Sequence, residues 1–281
     1  IGTCLVGSEM CIRDRSHDVL VLKRESVLLG IIRLILAAIF VVFTTLFALI
    51  YCLFSPRNPK HVYFFCRWFN QLHKLIGLKL IQRGLDRAPT PANSVYISNH
   101  QSVYDFVTAP GMLRPRTVSL GKKDLLWIPF FGQLYWITGN ILINRENKSQ
   151  ARDTIKQVAE AIHQRDLSVW VYPEGTRSKG RGLLPFKTGA FRMAIEAGVP
   201  ITPMCVSTTH NKIDLNRRDN GVVISEMLEP IDVSGYKIED ARKLAEHCHT
   251  LMASKIKELD NEVAQLERQN SKSLSGEQHS L

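Results

Sequence analysis

No pair among the six cysteines (Cys4, Cys11, Cys52, Cys66, Cys205, Cys248) has the short spacing of a redox or zinc motif. No His/Cys cluster has metal-ligand spacing either, so neither a bound metal nor a disulfide framework is expected. Isolated thiols of this kind fit reduced, structural residues of a protein facing a reducing compartment. A G-x-S-x-G elbow is also missing, which argues against a serine-nucleophile hydrolase. No internal repeat and no recognised nucleic-acid module occurs, and the cations are scattered, so the net charge of +10 does not point to nucleic acid. Residue 1 is not methionine; residues 1–16 read as a translated fragment foreign to the rest, and residues 1–26 are set aside as a non-native or disordered leader.

What is present begins with a long apolar run. From Val27 to Phe54 the only charge is Arg33, and Leu34 to Ile50 has none. About 20 apolar residues suffice to span a bilayer, and an arginine near one end can snorkel to the headgroups. The run is too long for a signal-peptide core and no small-x-small cleavage site follows it. A second apolar segment dotted with cations extends from His61 to Ile81, so a spanning helix and a hairpin dipping into one leaflet both fit. Cations flank both ends, leaving the positive-inside count undecided. A basic body suits an anionic lipid surface, where each nearby Lys or Arg contributes about 1 kcal/mol.

The chemistry centres on Asn99-His100-Gln101-Ser102-Val103-Tyr104-Asp105. An imidazole is the natural general base near neutral pH, and a carboxylate that fixes its tautomer makes it an oriented one. His100 and Asp105 converge only if the histidine precedes a helix and the aspartate lies in its first turn, with Ser102 as a candidate N-cap. In a chain with nine histidines this spacing alone is near chance expectation. Ser102 and Asp105 also make an S-x-x-D capping box, which explains the aspartate without catalysis.

Further blocks follow in order. Gly139 to Arg145 (GNILINR) ends an apolar strand in an arginine; Val169 to Ser178 (VWVYPEGTRS) is a strand running into Pro-Glu-Gly-Thr-Arg, followed by Pro185-Phe186-Lys187-Thr188-Gly189; Val199-Pro200-Ile201-Thr202-Pro203 opens another strand. Together with the His100–Asp105 block these resemble the four motif blocks of the glycerophospholipid acyltransferases. The match is closest to the bacterial 1-acyl-sn-glycerol-3-phosphate acyltransferases and runs from about Leu28 to about Leu266. Asn144 stands where an aspartate is common in that group.

The resemblance implies acyl transfer from a thioester to the sn-2 hydroxyl of lysophosphatidate, giving phosphatidate in phospholipid synthesis at the bacterial inner membrane, with the catalytic part facing the cytoplasm. His100 would deprotonate the hydroxyl and protonate the leaving thiol, with no acyl-enzyme and no cofactor. A lysophospholipid carries a phosphate near its free hydroxyl, and guanidinium groups grip phosphate through paired charge-assisted bonds. Arg145 and Arg177 are therefore the leading phosphate ligands, with Lys123 and Lys187 adding charge. Glu174, Gly175 and Thr176 belong by resemblance to the acceptor-binding motif, Glu174 as an organiser of the site. A turn salt bridge from Glu174 to Arg177 is the plain alternative. Backbone N–H groups around Gly175 are candidate oxyanion donors. Either acyl-CoA or the acidic acyl-carrier protein fits as donor. Trp127, Phe130 and Phe131 either line an acyl-chain tunnel or serve core packing and membrane contact. A related acyltransferase acting on glycerol 3-phosphate or another lysophospholipid, and a non-catalytic membrane lipid-binding protein, are the rival readings.

Alternating strands and helices predict an α/β fold with a mostly parallel sheet. Strands are expected at Ser94–Ser98, Thr117–Gly121, Ile141–Asn144, Leu167–Tyr172, Ile201–Val206 and Gly221–Met227. Helices are expected at Ser149–Gln164 and Gly189–Ala197, the latter stopped by Gly198. The domain reading is a membrane anchor over 27–82, a catalytic domain over 83–238, an amphipathic helix over 239–269 and a disordered tail over 270–281.

Overall fold

The computed structural model describes residues 6–89, 93–143 and 151–277. Helix α1 (Val6–Tyr51) is followed by a tight turn and α2 (Pro59–Leu75). Asn58 caps α2 by accepting the Lys60 N–H, and Pro59 occupies the first helical position, where its missing N–H costs nothing. The two helices meet through aromatic rings, Phe47 on Trp68 (5.2 Å), Tyr51 on Phe64 (5.4 Å) and Phe40 edge-on to Phe69 (5.4 Å). One long face of α1 stays bare: Leu34, Ile39, Phe43 and Ile50 are all more than half exposed. Val27–Phe54 is long and apolar enough to cross a membrane by length and composition. Helix α1 reaches back to Val6, inside the segment set aside as a leader.

Arg33 does not snorkel. It is 7 % exposed and donates to the carbonyls of Leu215 (2.8 Å), Arg217 and Arg218 (3.2 Å), so the loop after residue 213 clamps the anchor helix. The clamp forms because Gly30 and Gly77 bring no side chain: a Cβ at Gly30 would strike the Asn216 side chain, and one at Gly77 the Arg218 carbonyl. The charge that its place near the end of the apolar run assigns to headgroups is satisfied instead by protein carbonyls.

The remaining chain builds a seven-stranded sheet from β1 (Lys79–Arg83), β2 (Val95–Ser98), β3 (Thr117–Lys122), β4 (Ile141–Ile143), β5 (Ser168–Val171), β6 (Ile201–Val206) and β7 (Val222–Met227). The order is β1-β7-β6-β2-β5-β3-β4, and every pairing is parallel except β6 with β7. The mostly parallel sheet expected from sequence is therefore present. β1 went unread because its residues lie at the end of the apolar segment assigned to the anchor; it pairs with β7 from Lys79↔Val222 to Arg83↔Glu226. The anchor boundary drawn at residue 82 thus cuts through a sheet strand.

Helices cover both faces, which is why the central strands read as continuous apolar runs. Val95, Ile97, Val169 and Val171 point into one core with α5 (Ala151–Gln164), α6 (Gly189–Ala197) and α7 (Ala241–Glu277). Tyr96, Trp170 and Met204 point into the other, against Ile76, Leu78 and Met112. Gly198 ends α6 with φ +59°, the left-handed turn that glycine adopts without cost. The tail expected to be disordered from residue 270 continues α7 to Glu277, since no glycine or proline interrupts the chain between Ala241 and Gly276. Cys205 and Cys248 are free and buried, and burial pushes the Cys248 thiol up to about 12, as expected of inert thiols.

Candidate active site

Because β2, β3 and β5 run parallel, their C-terminal ends open at one edge of the sheet, the usual place for a site in such folds. His100 leaves β2 there. Its neighbours pin it: Asn99 exchanges two hydrogen bonds with the Val206 main chain (2.8 and 2.9 Å), and Gln101 bonds the carbonyls of Val206 and Ser207 and the Thr209 N–H. A histidine flanked by two amides locked onto β6 has little freedom to move.

Asp105 opens the short helix α3 (Asp105–Thr108) and is 3 % exposed. Its Oδ2 accepts from His100 Nδ1 at 2.6 Å and from the N–H groups of Gln101 (2.7 Å) and Ser102 (3.2 Å). Ser102 is not the N-cap; Tyr104 stands there, and the Ser102 hydroxyl accepts the Tyr104 N–H instead. The capping and catalytic readings of Asp105 therefore coexist in one oxygen. A carboxylate that already accepts two N–H groups takes the imidazole Nδ1–H, which leaves Nε2 with its lone pair free.

Glu174 comes from the turn after β5. It is 3 % exposed and both oxygens are used on main chain, Oε1 by His100 N–H (2.5 Å) and Oε2 by Leu184 N–H (3.0 Å). Burial raises its carboxyl above the ordinary value, and the two backbone bonds oppose that rise. No ion pair joins it to Arg177 among the described residues. The same turn is stitched to the catalytic loop by Ser178 N–H to the His100 carbonyl (2.8 Å) and Lys179 N–H to that of Gln101 (3.1 Å).

Gly175 has φ +70°, and its N–H is spent on the Tyr172 carbonyl at 3.1 Å, which removes it as a free oxyanion donor. A Cβ there would lie 2.7 Å from Lys187 Nζ, so glycine makes room for that lysine, whose main chain is tied to the Pro173 carbonyl (2.9 Å). Thr176 and Arg177 are exposed beside it. Lys123 begins the turn after β3 at the same sheet edge and is exposed, whereas Lys122 is paired with Asp124 (2.5 Å). Arg145 lies outside the described residues. Trp127 is 82 % exposed, Phe130 is half exposed, and Phe131 meets Phe106 edge-on at 5.3 Å. One neighbour of His100 escaped the motif reading: the Tyr172 ring stacks on its imidazole with centroids 4.0 Å apart. Its only sequence signal was its place at a strand end just before Pro173.

An oriented base at a sheet edge beside a lysine and an arginine can activate a hydroxyl next to an anionic group. The comparisons with known proteins agree. Residues 79–207 match the family model described as Acyltransferase. The chain is 57 % identical over 240 residues to the 1-acyl-sn-glycerol-3-phosphate acyltransferase of Escherichia coli (strain K12), covering 85 % of this chain and 98 % of that one. It is 51 % identical over 237 residues to the enzyme of the same description from Haemophilus influenzae, covering 84 % and 99 %. The crystal structure of the 1-acyl-sn-glycerophosphate (LPA) acyltransferase PlsC from Thermotoga maritima superposes with a TM-score of 0.68 at 23 % identity, covering 85 % of this chain and 97 % of that one, and so shares the fold. The chain belongs to the 1-acyl-sn-glycerol-3-phosphate acyltransferases.

Proposed function

We propose that this protein transfers an acyl chain from a thioester, acyl-CoA or acyl-carrier protein, to the sn-2 hydroxyl of 1-acyl-sn-glycerol 3-phosphate, forming phosphatidate. The observation that carries the chemistry is the 2.6 Å bond between His100 Nδ1 and Asp105 Oδ2, which aims Nε2 outward as a base. Nε2 takes the hydroxyl proton as the oxygen attacks the thioester carbonyl; when the tetrahedral intermediate collapses, the C–S bond breaks and the imidazolium returns the proton to sulfur. Such general base catalysis contributes ~10²- to 10⁴-fold. Glu174 holds the His100 main chain, while Arg177, Lys187 and Lys123, with Arg145, supply the charge that draws the acceptor phosphate. The reading assigns no metal or other cofactor. The bare face of α1 supports membrane association, and we assign the protein to the bacterial inner membrane with the site facing the cytoplasm.

The test is phosphatidate formation from lysophosphatidate and a labelled acyl donor, with glycerol 3-phosphate run in parallel and His100→Ala beside wild type. Product from lysophosphatidate alone, lost in the variant, is the expected result. Product from glycerol 3-phosphate would reassign the acceptor, and an undiminished variant would reject the mechanism.

A further inference from the structure

Asp105 grips the edge of the His100 ring; Tyr172 covers a face. The two rings lie 16° from parallel with centroids 4.0 Å apart, and Trp170 backs the tyrosine at 5.0 Å. The Tyr172 hydroxyl is buried with no hydrogen-bond partner among the described residues. A buried phenol left unsatisfied costs free energy, so the hydroxyl is not what this position rewards; the ring is. The titratable groups facing the stack are Asp105 on α3, Glu174 after β5, Cys66 on α2 and Tyr135 on α4 (Phe131–Ile137). Burial first, and then these neighbours, hold the phenol well above its ordinary range, so the ring stays neutral while His100 changes charge.

Within the catalytic cycle the imidazolium forms when the alcohol proton is removed and lasts until that proton reaches the thiolate. A cation over the face of an aromatic ring is stabilised by the ring quadrupole, more strongly where water is excluded. We propose that Tyr172 is a positioning residue whose ring face holds the imidazole plane and stabilises the imidazolium that His100 becomes during acyl transfer, as a second partner beside Asp105. This rests on His100 being the general base. The proton balance is unchanged: the alcohol O–H breaks, Nε2–H forms, and the same proton ends on the leaving sulfur.

The experiment compares Tyr172→Phe, Tyr172→Leu and a graded series of ring-fluorinated phenylalanines at position 172, which keep the shape while draining the face of electron density. Tyr172→Phe is expected to keep kcat within about twofold and to leave the acid limb of the kcat/KM profile in place. For Tyr172→Leu, kcat is expected to fall roughly 5- to 30-fold with KM nearly unchanged, and the acid limb to move to lower pH because the cationic ring has lost a partner. Within the fluorinated series kcat should fall step by step relative to phenylalanine, a readout that does not depend on the leucine variant folding. A leucine variant equal to phenylalanine, a limb that stays or moves up, or a flat fluorination series overturns the proposal. His100→Ala separates the two ideas: inactivity there with a flat series rejects only the role of Tyr172, and activity there rejects the base itself.

Discussion

Glu174 holds the main chain of His100: its Oε1 accepts the His100 N–H at 2.5 Å while its Oε2 accepts the Leu184 N–H at 3.0 Å. One carboxylate thereby ties the β2 loop to the segment leading into Lys187 and α6, and the turn after β5 becomes a brace for the loop that carries His100. Glu174→Gln keeps one acceptor oxygen but turns an amide N–H toward a backbone donor. It should lower stability by about 1–3 kcal/mol, read as a drop in thermal midpoint in detergent, and reduce kcat together with it. An unshifted midpoint would show that the brace is unnecessary.

Asp105→Asn tests the charge of the dyad separately from its shape. The amide oxygen can still accept the Gln101 and Ser102 N–H groups, so the fold should survive with a loss of about 1 kcal/mol. Without its negative partner the imidazolium keeps only the face of the Tyr172 ring, and kcat should fall at least ~10²-fold. Steady-state kinetics beside a thermal melt of the same preparation separates the two effects.

Gly175→Ala should act on substrate affinity more than on turnover. The φ of +70° costs an alanine about 1 kcal/mol, and its Cβ would press on Lys187 Nζ from 2.7 Å, displacing that ammonium rather than the backbone. A raised KM for lysophosphatidate with kcat little changed is the expected split; a fall confined to kcat would remove Lys187 from acceptor binding.

The loop clamp on the anchor helix makes Gly77 and Gly30 unequal. Alanine at Gly77 meets the Arg218 carbonyl at a φ of +67° and should destabilise the protein by about 2 kcal/mol or more. Alanine at Gly30 meets only the movable end of Asn216 and should cost much less. Melting curves of the two variants that coincide would show that the loop does not seat against α1 as described.

Glu226 ties three elements together: it accepts from Arg83 (2.7 Å) and Arg87 (2.9 Å), and Lys255 of α7 lies 3.6 Å away. Burial raises its carboxyl, but the hydrogen bonds from Arg87 and Arg83 and the charges of Arg83 and Lys255 outweigh burial and leave it below the ordinary 4.5. A depressed carboxylate contributes stability above its unfolded value and loses it as pH falls through the folded one. The stability advantage of wild type over Glu226→Gln should therefore be full at pH 7 and shrink below about pH 4.5. A difference independent of pH would mean the ion pairs are not what the glutamate contributes.

Much of this molecule was legible in one dimension. Strands buried on both faces announce themselves as unbroken apolar runs, Gly198 marks a helix end because only glycine turns left cheaply, and the apolar span from Val27 needs nothing but length and composition to be recognised. The blocks around His100, Arg145, Glu174 and Lys187 carried the family because their order and spacing are specific. Other features depend on which strands become neighbours. β1 was hidden because a short strand beside an amphipathic helix has no separate periodicity, and only its pairing with β7 defines it. Arg33 looked like a headgroup anchor until a loop 182 residues away brought carbonyls to it. The ring of Tyr172 over His100, and the hold of Glu174 on the His100 N–H, follow from the parallel pairing of β2 with β5, which sets two loop ends side by side. Residue type and spacing determined the chemistry on offer; chain crossing, which no local pattern encodes, decided which groups are free to perform it.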